Sequence, residues 1–268
     1  SAFNTLCAIG TVTVRELSYY TGVSAGIIRT LADKGAAEIF EVERFRRPKQ
    51  EMADIRLPQT LSAEQMNVAN DILRECDAAE PMVGLLYGVT GSGKTQVYIE
   101  LARRTRRAGR QVIVLVPEIA LTGQLVRAFK AYFHQDIIVM HSRLTIPERN
   151  DAVLRVRRGE AGVIIGARSA LFTPAADVGL IILDEEQDMS YKQDESPRYH
   201  ARVVAEKIAR VHGAVLLLGS ATPSLESYFR AAQGELTLLV MPRRIGDIPL
   251  PIIHCVDMRE ELRMGNRH

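Results

Sequence analysis

Eight consecutive residues, Gly88-Val89-Thr90-Gly91-Ser92-Gly93-Lys94-Thr95, constrain this chain more than any others. They fit G-x-x-x-x-G-K-[ST], a loop whose backbone N–H groups cradle phosphate. Glycine lets the backbone come close to a ligand and adopt positive φ. Such a loop works only between a buried strand and a helix, and the flanks supply both. Val83–Tyr87 is a short apolar run, and the stretch from Lys94 to about Arg107 suits a helix. The positive end of that helix then points at the same anion. Gly91, Ser92 and Gly93 form the cradle, Lys94 is placed to reach the β- and γ-phosphates, and the Thr95 hydroxyl to sit on Mg²⁺.

From Val83 onward, apolar runs alternate with helical stretches. The runs are 83–87, 111–116, 137–140, 162–166, 180–184, 214–219 and 236–241. Gly109 closes the helix after the loop, and Thr145 with Glu148 has capping-box spacing for the next but one. Buried strands alternating with helices imply an α/β fold with a mostly parallel, doubly wound sheet. Ligands in such sheets bind beyond the carboxyl ends of the strands.

One of those ends is acidic. Leu180-Ile181-Ile182-Leu183 runs into Asp184-Glu185-Glu186-Gln187. Asp184 suits the Mg²⁺ hydration shell and Glu185 the orienting or deprotonation of an attacking water; Glu186 is the less certain acid. The segment 219–224, with Ser220 and Thr222, follows another strand and is placed to sense a γ-phosphate, although an N-cap at Thr222 or Ser224 explains it equally. The segments 116–122 and 165–170, with Arg168 and Ser169, end two more strands and suit a nucleic-acid backbone.

The first fifty residues read differently. A helix over 13–21, a turn at Gly22-Val23-Ser24, a second helix over 25–34 closed by Gly35 and an alternating strand over 37–43 suggest a winged helix-turn-helix domain at 1–50. Arg44–Lys49 is either a base-rich contact or a solvated linker. A linker over 50–60, with Pro58, leads to a helix opening at Ser62 and Gln65, which form another capping box.

Composition sets the remaining bounds. With 268 residues, 47% apolar and 25% charged, the chain suits a soluble globular protein with a sizeable core. A net charge of +2 does not by itself argue for nucleic acid. Three distant cysteines lack zinc-ligand spacing and suit a reducing, cytoplasmic setting. No apolar run is long enough to span a bilayer, and no signal peptide is evident. The arginines at 103, 104, 106, 107 and 110 read as a solvated face near a helix C-terminus.

Taken in order, these clusters resemble the superfamily 2 helicases, and among them the primosomal replication-restart helicases. The resemblance rests on G-V-T-G-S-G-K-T at 88–95, V-P-E-I-A-L-T at 116–122, H-S at 141–142 and I-G-A-R-S-A-L-F at 165–172. It continues with D-E-E at 184–186, S-Y-K-Q at 190–193, P-R-Y-H-A-R at 197–202 and G-S-A-T-P-S-L-E-S at 219–227, and V-D-M-R-E-E at 256–261 extends it. It implies a RecA-like lobe over 61–245, with 246–268 starting a connection to a second lobe, and ATP-dependent 3′-to-5′ unwinding of forked or single-stranded DNA in bacteria. Primosome proteins and single-stranded DNA-binding protein are the implied partners. By the same resemblance Gln65 meets adenine, and Arg168 and Ser169 touch DNA. Thr222 couples hydrolysis to movement. Tyr191 to Arg202 corresponds to an aromatic-rich loop in which Tyr191 and Tyr199 stack on bases and Arg198 pairs with phosphate.

Two features depart from the family pattern. Gln187 stands where the family commonly has histidine; it keeps hydrogen-bonding capacity but cannot gain charge, which bears on coupling more than on metal binding. The second lobe, with its arginine finger, a cysteine-rich zinc region and further DNA-binding domains are expected outside this segment. The expectation is therefore weak ATP binding and slow turnover by this chain alone, since such a finger is worth about 10³–10⁵ in rate. A non-catalytic DNA- and nucleotide-binding module acting through partners is the competing reading. A winged-helix regulator with an ATPase domain is disfavoured by the segments at 116–122 and 219–224, and a guanine-nucleotide switch by the lack of N-K-x-D.

Overall fold

The computed structural model describes residues 5–6, 12, 14–39, 61–76, 82–121, 123–247 and 256. The chain divides into two compact units, Ser1–Arg46 and Arg47–His268. In the first, helices α1 (Val14–Thr21) and α2 (Ala25–Asp33) pack together through buried Leu17 and Ile28. Ser24 takes the N-cap position of α2 without a side-chain cap bond. Gly35, at φ +70°, lets the Gly35 and Ala36 N–H groups return to the Ala32 and Leu31 carbonyls, so the helix closes as its sequence foretells. Ala37–Ile39 form no strand; the rest of the expected strand and the 50–60 linker lie outside the described residues. Two packed helices joined by a three-residue turn are present, and the wing is not among the described residues.

The second unit begins with α3 (Ala63–Cys76), followed by β1 (Val83–Gly88), α4 (Lys94–Arg107), β2 (Gln111–Leu115), α5 (Gln124–Phe133), β3 (Ile137–Met140), α6 (Ile146–Arg157), β4 (Val163–Gly166) and β5 (Val178–Asp184). A short antiparallel hairpin, β6 (Lys192–Gln193) with β7 (Tyr199–His200), leads into α7 (Ala201–His212). The unit continues with β8 (Val215–Ser220), α8 (Leu225–Ala232) and β9 (Thr237–Met241). Seven strands form one sheet in the order β3-β4-β2-β5-β8-β1-β9, and every pairing is parallel.

Helices cover both faces, which is why the strands read as continuous apolar runs. Leu86, Val112, Val114, Ile165, Ile182 and Leu217 meet α3, α4 and α5 on one face. Leu85, Ile113, Leu115, Ile164, Ile181, Leu183, Leu216 and Leu218 meet α6, α7 and α8 on the other. Ala201, Ala205 and Ala209 line up at i, i+4 and i+8, so α7 lies close on the sheet. Among the described residues, no helix is long and apolar enough to cross a membrane.

The arginines after Lys94 do not form the solvated face their sequence suggests. Arg103 and Arg104 pair with Glu100 at 2.6 Å, and Arg106 grips Asp136 at 2.8 and 3.1 Å. Arg110 binds Asp177 and the carbonyls of Val178, His212 and Gly213. Arg103 and Arg104 thus pair within α4, whereas Arg106 and Arg110 tie the end of α4 to the segments that enter β3 and β5 and leave α7; of the five, only Arg107 is exposed. A helix pattern shows a basic face, but not the carboxylates that other elements bring to it.

Candidate nucleotide and metal site

The loop after β1 has the conformation its glycines permit. Gly91 and Gly93 sit at φ +85° and +87°. A Cβ on Gly93 would lie 2.1 Å from Gln65 Nε2, and one on Gly88 would lie 2.8 Å from Ser92 Oγ. Lys94 Nζ donates to the Gly88 carbonyl at 2.7 Å, folding its charge back over the cradle. Thr95 follows in the first turn of α4, half-buried. The Ser92 hydroxyl is buried without a hydrogen-bond partner in the protein.

Gln65 reaches this loop as well as capping its own helix. Its Oε1 accepts from Ser62 N–H at 2.9 Å, and its Nε2 donates to Ser92 O at 3.3 Å and to Gln96 Oε1 at 2.6 Å. The capping reading holds, and the same buried amide also joins the helix to the phosphate loop. Beside it is a cavity of about 340 Å³ lined by Gln65, Ser92, Gln96, Arg243, Arg244 and Ile245. The Ile245 N–H donates to Gly91 O and the Val89 N–H to Met241 O, so the chain leaving β9 straps the loop. Arg243 and Arg244 carry no sequence motif; only the return of β9 beside β1 brings them here.

The acids lie on β5, and β8 separates β5 from β1. The two halves of the site are therefore one strand apart, not on adjacent strands. Strand alternation turns Asp184 to the same face as Leu180 and Ile182, toward α4. There Tyr98 of α4 donates its hydroxyl to Asp184 Oδ1 at 3.0 Å. Burial, followed by the neighbouring Glu185 charge, raises the Asp184 carboxyl to about 6, while the Tyr98 bond and Lys94 oppose the rise. Burial, and then Asp184, pushes the Tyr98 hydroxyl well above its ordinary range. Nothing in the sequence singled out Tyr98; the only signal was an aromatic one turn beyond Lys94.

The other two acids separate cleanly. Glu185 stands at φ +49° and accepts from Gln187 Nε2 at 3.0 Å. The Gln187 carbonyl oxygen in turn accepts from Ser220 Oγ at 2.6 Å, and Ser220 Oγ accepts from the Thr222 N–H at 2.8 Å. Gln187 therefore bridges Glu185 to the 219–224 segment through its amide, donating to the carboxylate and accepting from Ser220. Glu186 points away into the fold. It accepts from Ser224 N–H at 2.7 Å, Ser227 Oγ at 2.9 Å and Ser224 Oγ at 3.2 Å, with Arg202 at 3.5 Å. Ser224, not Thr222, caps α8.

The loop from 188 to 200 departs from expectation at Tyr191. That side chain is fully buried, so it has no face on which a base can stack. Its hydroxyl instead donates to the Asp184 carbonyl at 2.6 Å. Burial and the nearby acids push that hydroxyl far above its usual range. Arg168 reaches the carbonyls on either side of Tyr191, bonding Ser190 O at 3.0 Å and also Lys192 O. Ser169 and Arg198 remain exposed, Arg198 donating to Asp194 O at 3.0 Å. Tyr199 packs edge-on against exposed Phe172, with ring centroids 5.3 Å apart. Phe172 and Tyr199 are thus the aromatic pair open to a ligand, beside Lys192 and Arg198.

The donor set suits Mg²⁺ held largely by phosphate. Among the described residues no three His, Cys, Asp or Glu side chains gather as a metal cage. One carboxylate and one hydroxyl, Asp184 and Thr95, are hard oxygen donors that leave room for waters and phosphate oxygens.

The DEAD/DEAH box helicase profile matches residues 62–230. The chain belongs to the DEAD/DEAH box helicase family. Within that family it is 45% identical to replication restart protein PriA of Bacillus subtilis, over 94% of this chain and 31% of that protein. It is 42% identical to PriA of Synechocystis, over 91% of this chain and 30% of the relative. The chain thus spans about a third of the length of these curated relatives. Among solved structures, RecG bound to a three-way DNA junction shares the helicase-lobe fold, with a TM-score of 0.53 and 24% identity, covering 73% of this chain and 25% of RecG.

Proposed function

We propose that this chain is the nucleotide-binding lobe of a PriA-like, ATP-dependent 3′-to-5′ DNA helicase of replication restart, with a winged-helix domain ahead of it. The observation that carries the reading is the hydrogen bond from the helix of the phosphate loop to the acidic strand end. It supports a reading in which Lys94 and Thr95, at the start of that helix, and Asp184 serve one nucleotide. Gly91, Ser92 and Gly93 hold phosphate, Lys94 neutralises it, and Gln65 with the adjoining cavity takes the adenine. Thr95 and Asp184 hold Mg²⁺, which offsets phosphate charge, and Glu185 orients water.

DNA, forked or single-stranded, meets the surface that carries Ser169, Phe172, Arg198 and Tyr199. Arg168 passes that contact inward, since it holds the backbone on both sides of Tyr191, whose hydroxyl binds Asp184. Gln187 and Thr222 connect Glu185 to the 219–224 segment for the same purpose. Restart and primosome proteins and single-stranded DNA-binding protein are the proposed partners, in a bacterial cytoplasm. Completion of the transition-state charge falls to a second lobe outside this segment, so this chain alone turns over slowly.

Equilibrium binding of a fluorescent ATP analogue with Mg²⁺ tests the reading, with Lys94→Ala as control. Uptake by the wild type and its loss in Lys94→Ala support it, and equal uptake by both overturns it. ATP hydrolysis with and without forked DNA, in a protein that includes both lobes, separates a motor from a non-catalytic module.

A further inference from the structure

Tyr98 is placed in a way that packing alone does not explain. It follows Lys94 by four residues and so shares its face of α4. The ring is fully buried, and a buried phenol needs a partner for its hydroxyl. That partner is not a nearby carbonyl but Asp184 Oδ1, 3.0 Å away and 86 residues on. To reach it the hydroxyl must cross β8, where Gly219 pairs in register with Asp184. A Cβ on Gly219 would lie 1.7 Å from the Tyr98 oxygen. The missing side chain in β8 and the hydroxyl on α4 are thus complementary, although they come from separate motifs. On the other side, Tyr191 fixes the Asp184 backbone carbonyl at 2.6 Å.

We infer that Tyr98 is a positioning residue for the metal: its hydroxyl engages one oxygen of Asp184 and so holds the other toward the Mg²⁺ that accompanies the nucleotide. Groups behind a metal ligand set its orientation, and removing one typically costs about 10–100-fold in metal affinity. The inference rests on the nucleotide-site reading above.

The test measures binding of a fluorescent ATP analogue to the full chain over a Mg²⁺ titration and again in EDTA, for wild type, Tyr98→Phe, Asp184→Asn and the double variant. Tyr98→Phe is expected to raise the Mg²⁺ concentration for half-maximal enhancement about tenfold while leaving affinity in EDTA unchanged. In the Asp184→Asn background it should add nothing further. A purely structural tyrosine would instead lower the melting temperature and both affinities together, without moving the Mg²⁺ midpoint. An unmoved midpoint in Tyr98→Phe, beside normal wild-type enhancement, overturns the inference alone. No nucleotide uptake by the wild type overturns the site reading and this inference with it. If Tyr98→Phe does not fold, Tyr98→Met, which removes the hydroxyl without exceeding the space, is the second variant, and a wild-type Mg²⁺ midpoint in it refutes the role.

Discussion

Replacing Glu186 with alanine should unfold this lobe more readily without touching nucleotide chemistry, although Glu186 adjoins the two acids proposed to perform it. Its side chain is fully buried, and Arg202 beside it is 17% exposed. The carboxylate accepts three hydrogen bonds from the first turn of α8, at 2.7, 2.9 and 3.2 Å, and pairs with Arg202 on α7 at 3.5 Å. Breaking a buried pair from one side costs about 3–5 kcal/mol, because the partner charge stays buried. Arg202 keeps Ser224 and Ser227 as hydrogen-bond partners and has some access to water, and Ser224 Oγ still caps Ser227 N–H, so the lower end applies. For a domain of this size, about 3 kcal/mol lowers the melting temperature by roughly 6–12 °C. Glu186→Gln keeps one acceptor oxygen but loses the charge and sets an NH₂ against a donor where the other oxygen accepted, so it should still cost about 1–3 kcal/mol. Urea unfolding at constant slope, alongside ATP-analogue binding at a temperature where the variant is folded, checks both halves. A Glu186→Ala protein with unchanged stability and lost Mg·ATP binding would refute the reasoning and return Glu186 to the catalytic acids.

Two further outcomes follow from the same network. Gln187→Ala should leave Mg·ATP affinity within about twofold, since the side chain bonds Glu185 and Ser220 and not the phosphate loop, yet cut DNA-stimulated turnover of a two-lobed protein at least about tenfold; equal losses in both assays would show that the bridge does not couple. His200 Nδ1 accepts from Arg202 N–H at the start of α7, and burial, then the Arg202 charge, holds its pKa below 6.5, with Lys192 adding to the effect and Glu186 and Glu226 opposing it. The neutral ring's contribution to stability is therefore complete above about pH 6.5 and is lost as the pH falls through the lower folded value, so His200→Asn, which keeps a cap acceptor, should flatten the melting-temperature profile on the acid side. A parallel decline in wild type and variant would rule that out.

Much of this protein was legible one segment at a time. The phosphate loop, the acidic end of β5, seven apolar strands and the caps at Ser62, Thr145 and Gly109 each depend on residues within a turn or two of one another. Their physics is short-ranged: glycine torsions, side-chain-to-backbone capping and the two-residue or 3.6-residue spacing of apolar groups. The same local signals resemble a helicase lobe strongly enough to anticipate the family.

Tertiary structure decided everything that needed distant segments to meet. Strand order put β8 between the two halves of the site, and alternation along β5 then sent Asp184 toward α4 and Tyr98. Packing buried Tyr191, where its sequence suggested an exposed stacking platform, and gave Glu186 to α7 and α8. Arg106 and Arg110, which read as part of a solvated face, found carboxylates and carbonyls on other elements. A periodic pattern states which face of an element is polar, but the partner across the gap is fixed only when the sheet closes and each buried donor must find an acceptor.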